Sequence, residues 1–154
     1  MGLLTPPVYT AVLADDVDDM RFLVKLALEG SGRFRVIGEA ADGEDAVTVA
    51  TKAQPDVMLL DISMPRKDGL EALPEIIQAS PRTKVVILSG FDADRLEAPT
   101  RKLGATAYIE KGIPPDQLVA AVLATLEPVE HAPESGPAET GGRSSRTRSR
   151  QMSC

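Results

Sequence analysis

Short apolar runs alternate with segments of helical periodicity along most of the chain. The runs occupy residues 8–14, 34–40, 56–60, 84–89 and 107–110, and several are almost continuously apolar. Strands covered on both faces of a sheet have this composition, whereas strands with one solvent face alternate apolar and polar residues. Five such runs, each followed by a helical segment, predict an α/β fold with a doubly wound parallel sheet and helices on both faces.

The intervening segments place apolar residues on one helical face, as amphipathic helices do. These faces are formed by Met20, Leu23, Val24, Ala27 and Leu28, by Ala46, Val49, Ala50 and Ala53, and by Val119, Val122, Leu123 and Leu126. Capping preferences predict helix starts at Asp18 or Asp19, at Asp68, and at the Pro-Pro-Asp-Gln sequence of residues 114–117.

Two of the predicted helices contain an internal proline, at Pro74 and at Pro99. Proline lacks the backbone N–H donor and costs ~3 kcal/mol in a straight helix interior. We therefore expect a kink at Pro74 and a short or irregular fourth helix around Pro99.

Composition changes after residue 126. Residues 127–154 are mostly Pro, Gly, Ser, Glu and Arg, which offer little to bury, so we expect a disordered tail there. The formal net charge is -6, and the acidic surplus lies in residues 1–126, which disfavours nonspecific binding of nucleic acid. The single cysteine, Cys154, fits a reducing compartment, and no apolar run approaches the ~20 residues of a membrane span. We therefore predict a cytoplasmic protein.

Polar residues follow four of the five predicted strands at their carboxyl ends, the edge at which doubly wound sheets form their sites. They are Asp15 and Asp16, Asp61, Ser89 and Lys111. Three crowded carboxylates repel one another and favour a bound cation. Oxygen ligands suit Mg²⁺, and residues 1–126 contain no His or Cys that would favour another metal. With a lysine nearby to pair with a phosphoryl group, the pattern predicts acyl-phosphate formation on an aspartate.

Four motifs, in this order and spacing, resemble the receiver domain of two-component response regulators. They are LADD (13–16), LLDISMPRKDGL (59–70), VVILSG (85–90) and GATAYIEKG (104–112). The resemblance covers residues 8–126, with residues 1–7 as an N-terminal extension and 127–154 as the tail. It implies a five-stranded, flavodoxin-like parallel sheet with strand order 2-1-3-4-5.

The resemblance also implies roles for individual residues. Asp61 would be the phosphoacceptor and Lys111 the phosphate-binding lysine. The Mg²⁺ ligands would be Asp16, Asp61 and the backbone carbonyl of Ser63, with Asp15 as the other member of the acidic pocket. Ser89 and Tyr108 would be the switch residues. No enzyme activity is implied beyond self-catalysed phosphorylation and dephosphorylation.

The implied partners are proteins. A histidine kinase or a histidine phosphotransfer protein would donate the phosphoryl group, and a downstream protein of unknown identity would receive the signal. We expect a stand-alone receiver that is a monomer or a phosphorylation-dependent dimer, without a membrane partner. Because no helix-turn-helix follows residue 126, we expect no specific nucleic-acid binding. The alternative is a receiver fragment of a longer DNA-binding transcriptional regulator.

Other functions on this fold fit the residues less well. A flavin-binding protein needs a Ser, Thr or Gly phosphate loop after the first strand, where this chain has the acidic sequence ADDVDD. A phosphatase of the haloacid-dehalogenase type needs a second acid at the position of Ser63, and a pseudo-receiver would lack the acceptor or the lysine. The chain does depart from the family where Gly112 follows the lysine, since many members have a proline there, often with a cis peptide bond.

Overall fold

The computed structural model of the protein describes residues 5–127, in which five strands and five helices alternate. In chain order they are β1 (Tyr9–Ala14), α1 (Asp18–Gly30), β2 (Phe34–Ala40), α2 (Gly43–Ala53), β3 (Val57–Leu60), α3 (Gly69–Ala79), β4 (Lys84–Ser89), α4 (Ala93–Lys102), β5 (Ala107–Glu110) and α5 (Pro115–Leu126). The predicted alternation is confirmed, and every predicted strand agrees with the observed one to within one residue at each end. Residues 1–4 and 128–154, including nearly all of the predicted disordered tail, lie outside the described residues.

All strand pairs are parallel, and the strand order β2-β1-β3-β4-β5 confirms the doubly wound architecture. The register aligns the carboxyl ends of the central strands, because Ala14 of β1 pairs with Leu60 of β3. Asp15 and Asp61 directly follow these two residues and therefore emerge side by side. The backbone N–H of Asp61 extends the ladder by donating to the Ala14 carbonyl at 2.9 Å.

Side chains from the two faces of the sheet form two buried clusters. On one face the strands pack against α1 and α5, through Ala11, Leu13, Val24, Leu28, Leu59, Leu118 and Val122 among others. On the other face they pack against α2, α3 and α4, through Val12, Ala46, Ala50, Leu60, Leu73, Ile76 and Leu96 among others. The strand residues alternate between the clusters, and this two-sided burial explains why β1, β3 and β4 read as almost continuous apolar runs. No helix in residues 5–127 combines the length and apolar character needed to cross a membrane.

One residue of the predicted α1 face is exposed. Val24 and Leu28 are buried, but Leu23 is 58% exposed. Successive helical residues are rotated by roughly 100° about the axis, so Leu23 lies well to the side of Val24 and beyond the edge of the sheet-facing stripe.

Both internal prolines are accommodated within continuous helices. α3 continues through Pro74 to Ala79, and α4 continues through Pro99 to Lys102. The sequence predicts a short or irregular fourth helix; α4 is the shortest of the five helices described, and it is unbroken at Pro99. Each proline is exposed, and the carbonyl that loses its donor is four residues earlier, on the same side of the helix where water can reach it. The kink at Pro74 stays a prediction.

The start of α3 is fixed by a capping box and by a close backbone approach. Asp68 accepts a hydrogen bond from the Glu71 N–H, and the Glu71 side chain accepts one from the Asp68 N–H, which confirms the predicted helix start. A Cβ atom on Gly69 would lie 2.2 Å from the backbone oxygen of Asp61. Glycine at this position therefore lets the first turn of α3 touch the end of β3.

We predict that Gly69→Ala destabilises the protein by about 1–3 kcal/mol, because the new methyl group would meet backbone that cannot rotate away. Gly30→Ala is the matched control, since no atom lies within 4 Å of a Cβ built there. Urea denaturation monitored by circular dichroism measures both variants. Equal free energies of unfolding for the two variants would contradict the close approach at Gly69.

Candidate functional site

Three carboxylates converge at the carboxyl edge of the sheet. Asp15 and Asp16 follow β1, Asp61 follows β3, and one carboxylate oxygen from each lies within 4.8 Å of the others. Asp15 and Asp61 are buried and Asp16 is exposed. The structure thus brings together the three acids that were predicted as a cluster.

Lys111 bridges the two buried carboxylates. Its Nζ donates to Asp15 Oδ2 at 2.7 Å and lies 3.2 Å from Asp61 Oδ2. The backbone of Lys111 is held by β4, because its N–H donates to the Ser89 carbonyl at 2.8 Å. The residue after it, Gly112, has a φ of 101°, a left-handed conformation that glycine adopts without steric cost. The turn that follows Lys111 is therefore made by glycine.

Backbone donors orient the carboxylates from the other side. The N–H of Val17 donates to Asp15 Oδ1 at 2.9 Å, and the N–H of Ser63 points to Asp61 Oδ1 at 3.4 Å. Both are contacts to the residue two positions earlier, the geometry of an Asx turn. Ser63 is exposed and adjoins the Asp61 carboxylate, while the role of its carbonyl as a metal ligand stays a prediction.

Burial and charge shift the titration of the central groups. Burial raises the pKa of Asp61 above its ordinary value; the charge of Lys111 opposes this shift and that of Asp15 adds to it. Burial lowers the pKa of Lys111, but the hydrogen bond to Asp15 and the charge of Asp61 outweigh that effect and raise this pKa. The lysine therefore stays charged at neutral pH, and Asp61 is a carboxylate whose negative charge is only partly compensated.

The two predicted switch residues are linked through the main chain of Phe91. Ser89 is fully buried, and its Oγ accepts a hydrogen bond from the Phe91 N–H at 3.1 Å. The Tyr108 hydroxyl donates to the Phe91 carbonyl at 2.9 Å. Nearby, Glu110 accepts a hydrogen bond from the Ala93 N–H at 2.7 Å, at the first residue of α4. The β4–α4 loop and the first residue of α4 are thus hydrogen-bonded to the side chains of Ser89, Tyr108 and Glu110, the last two of which belong to β5.

The sequence reasoning missed Arg21 and the backbone of Phe91. Arg21 donates to the Asp15 carbonyl at 2.6 Å, and its guanidinium also contacts Asp18 and Glu39. No local pattern indicates the contact with Glu39, because Glu39 lies on β2 and Arg21 on α1. Phe91 lies two residues after Ser89, a spacing typical of hydroxyl-to-backbone turns, which could have indicated its contact.

The donor set of the cluster fits a hard divalent cation. All the side-chain donors are carboxylate oxygens, and Mg²⁺ is held in proteins by one or two carboxylates with water completing an octahedral shell. Asp16 is exposed, which leaves room for such waters. Lys111 offsets only part of the negative charge of the cluster, so an additional cation is electrostatically favoured.

Comparison with known proteins finds one family over most of the described residues. The model of the response regulator receiver domain matches residues 11–123. The uncharacterized transcriptional regulatory protein YxjL of Bacillus subtilis is 38% identical over 112 residues, which are 73% of this chain and 51% of that protein. Protein CcdB of the same organism is 33% identical over 111 residues, which are 72% of this chain and 92% of that protein. The chain thus spans about half the length of the transcriptional regulator and most of the length of the second relative.

Solved structures give the same result. The signal receiver domain of the putative response regulator NarL from Mycobacterium tuberculosis has a TM-score of 0.72 and 32% identity, covering 77% of this chain and 95% of that chain. The CheX-CheY-BeF3-Mg²⁺ complex from Borrelia burgdorferi contains a chain with a TM-score of 0.73 and 25% identity, covering 77% of this chain and 90% of that chain.

We predict that Asp61→Asn raises the melting temperature at neutral pH in a chelating buffer. Folded Asp61 keeps its proton to a higher pH than an unfolded aspartate, whose pKa is about 3.9, so the folded state binds more protons in the interval above that value. The free energy of unfolding of the parent therefore falls as pH rises through this interval, whereas the variant lacks that loss.

Thermal denaturation between about pH 4 and about pH 7 measures the effect. The difference in melting temperature between parent and variant should become smaller as the pH falls. The exposed residue Asp116 supplies the control, Asp116→Asn. A parent that is more stable than Asp61→Asn at neutral pH without metal would contradict the uncompensated charge.

Proposed function

The chain belongs to the response regulator receiver domain family, and we propose that it accepts a phosphoryl group on Asp61 in a Mg²⁺-dependent step of a histidine-to-aspartate phosphorelay. The observation that carries this proposal is the contact of Lys111 with both Asp15 and Asp61, at 2.7 and 3.2 Å. A fixed cation beside a buried carboxylate at a sheet edge is the arrangement expected for a phosphoryl acceptor.

The reaction on this proposal is a displacement at phosphorus. A carboxylate oxygen of Asp61 forms the new P–O bond as the P–N bond of a phosphohistidine breaks, and the bonding electron pair leaves with the imidazole nitrogen. Negative charge develops on the oxygens of the transferring group, and Lys111 is placed to pair with it. The phosphohistidine is supplied by a histidine kinase or a histidine phosphotransfer protein.

Asp16 and Asp61, together with the Ser63 carbonyl, would hold Mg²⁺, and Asp15 would complete the acidic pocket. Bound there, the metal would neutralise charge on the phosphoryl oxygens and orient them for in-line attack. Asp15 already has one oxygen on Lys111 and the other on the Val17 N–H. This leaves Asp16, which is exposed, as the acid freest to approach an ion directly.

The consequence of phosphorylation would pass through Ser89 and Tyr108. A phosphoryl group on Asp61 carries roughly -1.5 to -2 units of charge in place of the single charge of the carboxylate, and it brings new acceptor oxygens, so it favours a Ser89 hydroxyl turned toward Asp61. That turn would weaken the Ser89 contact with the Phe91 N–H and free the loop whose carbonyl holds Tyr108. Tyr108 could then move toward the space vacated at the end of β4, and the surface of α4, β5 and α5 would change.

The output on this proposal is contact with another protein, by a monomer or by a phosphorylation-dependent dimer. A second candidate is that the chain forms the receiver part of a longer DNA-binding transcriptional regulator. It is favoured by the relative YxjL, which is named a transcriptional regulatory protein and of which the match covers 51%. An antibody against this chain separates the two on an immunoblot of source cells: a band near 16.4 kDa supports the first, and a clearly heavier band supports the second, because YxjL, of which the 112 matched residues are 51%, is longer than this chain.

We predict that Asp61→Asn abolishes labelling by a small-molecule phosphodonor such as acetyl phosphate, because the amide is not a nucleophile of this kind. Intact-mass spectrometry of parent and variant measures the adduct, and Asp116→Asn should label like the parent. Chelation of divalent cations should suppress labelling of the parent. Undiminished labelling of Asp61→Asn, or labelling that survives full chelation, would refute the assignment.

We further predict that Ser89→Ala and Tyr108→Phe still accept the phosphoryl group, but that the conformational change reaching α4 is smaller than in the parent. Each variant removes one hydroxyl that contacts the Phe91 backbone, so the phosphorylation-induced amide shifts in residues 93–102 should shrink. Two-dimensional NMR of the phosphorylated and free forms measures these shifts. The full parental response in both variants would show that the signal takes another route.

A further inference from the structure

The β3–α3 loop contains a strained turn centred on Arg66. Arg66 has a φ of 64°, in the left-handed region that side chains other than glycine rarely adopt. The N–H of Lys67 donates to the Pro65 carbonyl at 2.7 Å, a bond between residues two apart. A positive φ with this bond defines a γ-turn of the rare, strained kind. Such strain persists only when surrounding contacts hold it in place.

Asp42, at the start of α2, holds this turn. Arg66 Nε and Nη2 donate to Asp42 Oδ2 at 2.9 and 2.6 Å. The other carboxylate oxygen of Asp42 caps α2 by accepting a hydrogen bond from the Asp45 N–H at 2.8 Å. The Asp42 side chain is only 9% exposed, so it is a fixed anchor, whereas that of Arg66 is 64% exposed. We call the Asp42–Arg66 pair the loop clamp.

The residues that follow Asp42 and Arg66 in the sequence, Gly43 and Lys67, make a second contact between the same two segments. The N–H of Gly43 donates to the Lys67 carbonyl at 2.8 Å. A Cβ atom on Gly43 would lie 2.2 Å from that oxygen, so the two backbones are in direct contact. Residues 42 and 43 thus bind residues 66 and 67 through one side-chain ion pair and one backbone hydrogen bond.

The clamped loop is the one that carries the acceptor and the proposed metal-binding carbonyl. It begins at Asp61 and includes Ser63, and its far end is fixed where the Gly69 N–H donates to the Ile62 carbonyl at 2.8 Å. Between these two ends the loop clamp is the side-chain contact that ties the turn to α2.

We propose that the loop clamp is a positioning device for the phosphorylation site, which holds the β3–α3 loop so that the Ser63 carbonyl faces the metal. The inference rests on the proposed function. On this proposal Asp42 and Arg66 act indirectly, by holding the loop, and not by touching Asp61. A purely stabilising role is disfavoured, because an ion pair with an exposed partner contributes little to stability and the Arg66 backbone is strained.

We therefore expect Arg66→Gly to lower the affinity for Mg²⁺ without lowering the free energy of unfolding. Glycine adopts the positive φ without strain, so the variant should unfold at the same denaturant concentration as the parent or a higher one. Without the clamp, its affinity for Mg²⁺ should fall by about 10-fold, the lower end of the effect of residues that orient metal ligands. Asp42→Asn keeps a helix-capping oxygen but loses the charge, and should weaken Mg²⁺ binding in the same direction.

The test is isothermal titration calorimetry of the full chain with MgCl₂, with amide hydrogen exchange at Gly43 and Lys67 as a metal-free readout. Glu75→Gln is the matched control: it removes the ion pair of Glu75 with Lys67, on the same loop, without touching Asp42. We expect faster exchange and weaker binding in Arg66→Gly and Asp42→Asn, and parental values in Glu75→Gln.

Parental Mg²⁺ affinity in Arg66→Gly, or equal losses in Arg66→Gly and Glu75→Gln, would overturn the clamp while leaving the proposed function intact. A loss of affinity that tracks a loss of stability would overturn it as well. A parent protein that binds no Mg²⁺ and accepts no phosphoryl group would overturn the proposed function, and the clamp with it.

Discussion

The contact of one lysine with two buried carboxylates is the interaction on which the rest of the site depends. Asp15 and Asp61 lie at the ends of neighbouring strands, and their negative charges repel each other where little water can screen them. Lys111 lies between them, 2.7 Å from one and 3.2 Å from the other. One positive charge does not balance two buried acids and the adjacent Asp16, so the cluster retains an affinity for a further cation and for a cation-bound phosphoryl group.

The fold supplies this geometry through strand register and a few close backbone contacts. The pairing of Ala14 with Leu60 sets the two acids side by side, and the hydrogen bond from the Lys111 N–H to Ser89 sets the lysine opposite them. Gly69 lets α3 begin directly against the end of β3. The acids and the lysine that define the site therefore sit at strand ends. The side chains proposed to respond, Ser89 at the end of β4 and Tyr108 on β5, both contact the backbone of the β4–α4 loop.

The sequence predicts the strands, the sheet and the acidic cluster because each depends on a local pattern. A strand buried on both faces shows itself in its own residues, and parallel strands necessarily bring their carboxyl ends to one edge, so Asp15 and Lys111 could be placed together although 96 residues separate them. The exposure of Leu23 and the unbroken α4 depend on where a helix meets the sheet and where water reaches it. The contact of Arg66 with Asp42 depends on a left-handed arginine, which residue preferences argue against.

The central claim is that Asp61 is a crowded, undercompensated carboxylate that a divalent cation relieves. Carbon-detected NMR titration of the Asp61 carboxyl group, with and without Mg²⁺, tests it most directly. The account predicts a pKa above the ordinary aspartate value of about 3.9 without the metal and a marked fall of that pKa when Mg²⁺ is added. An ordinary pKa that does not respond to Mg²⁺ would contradict it.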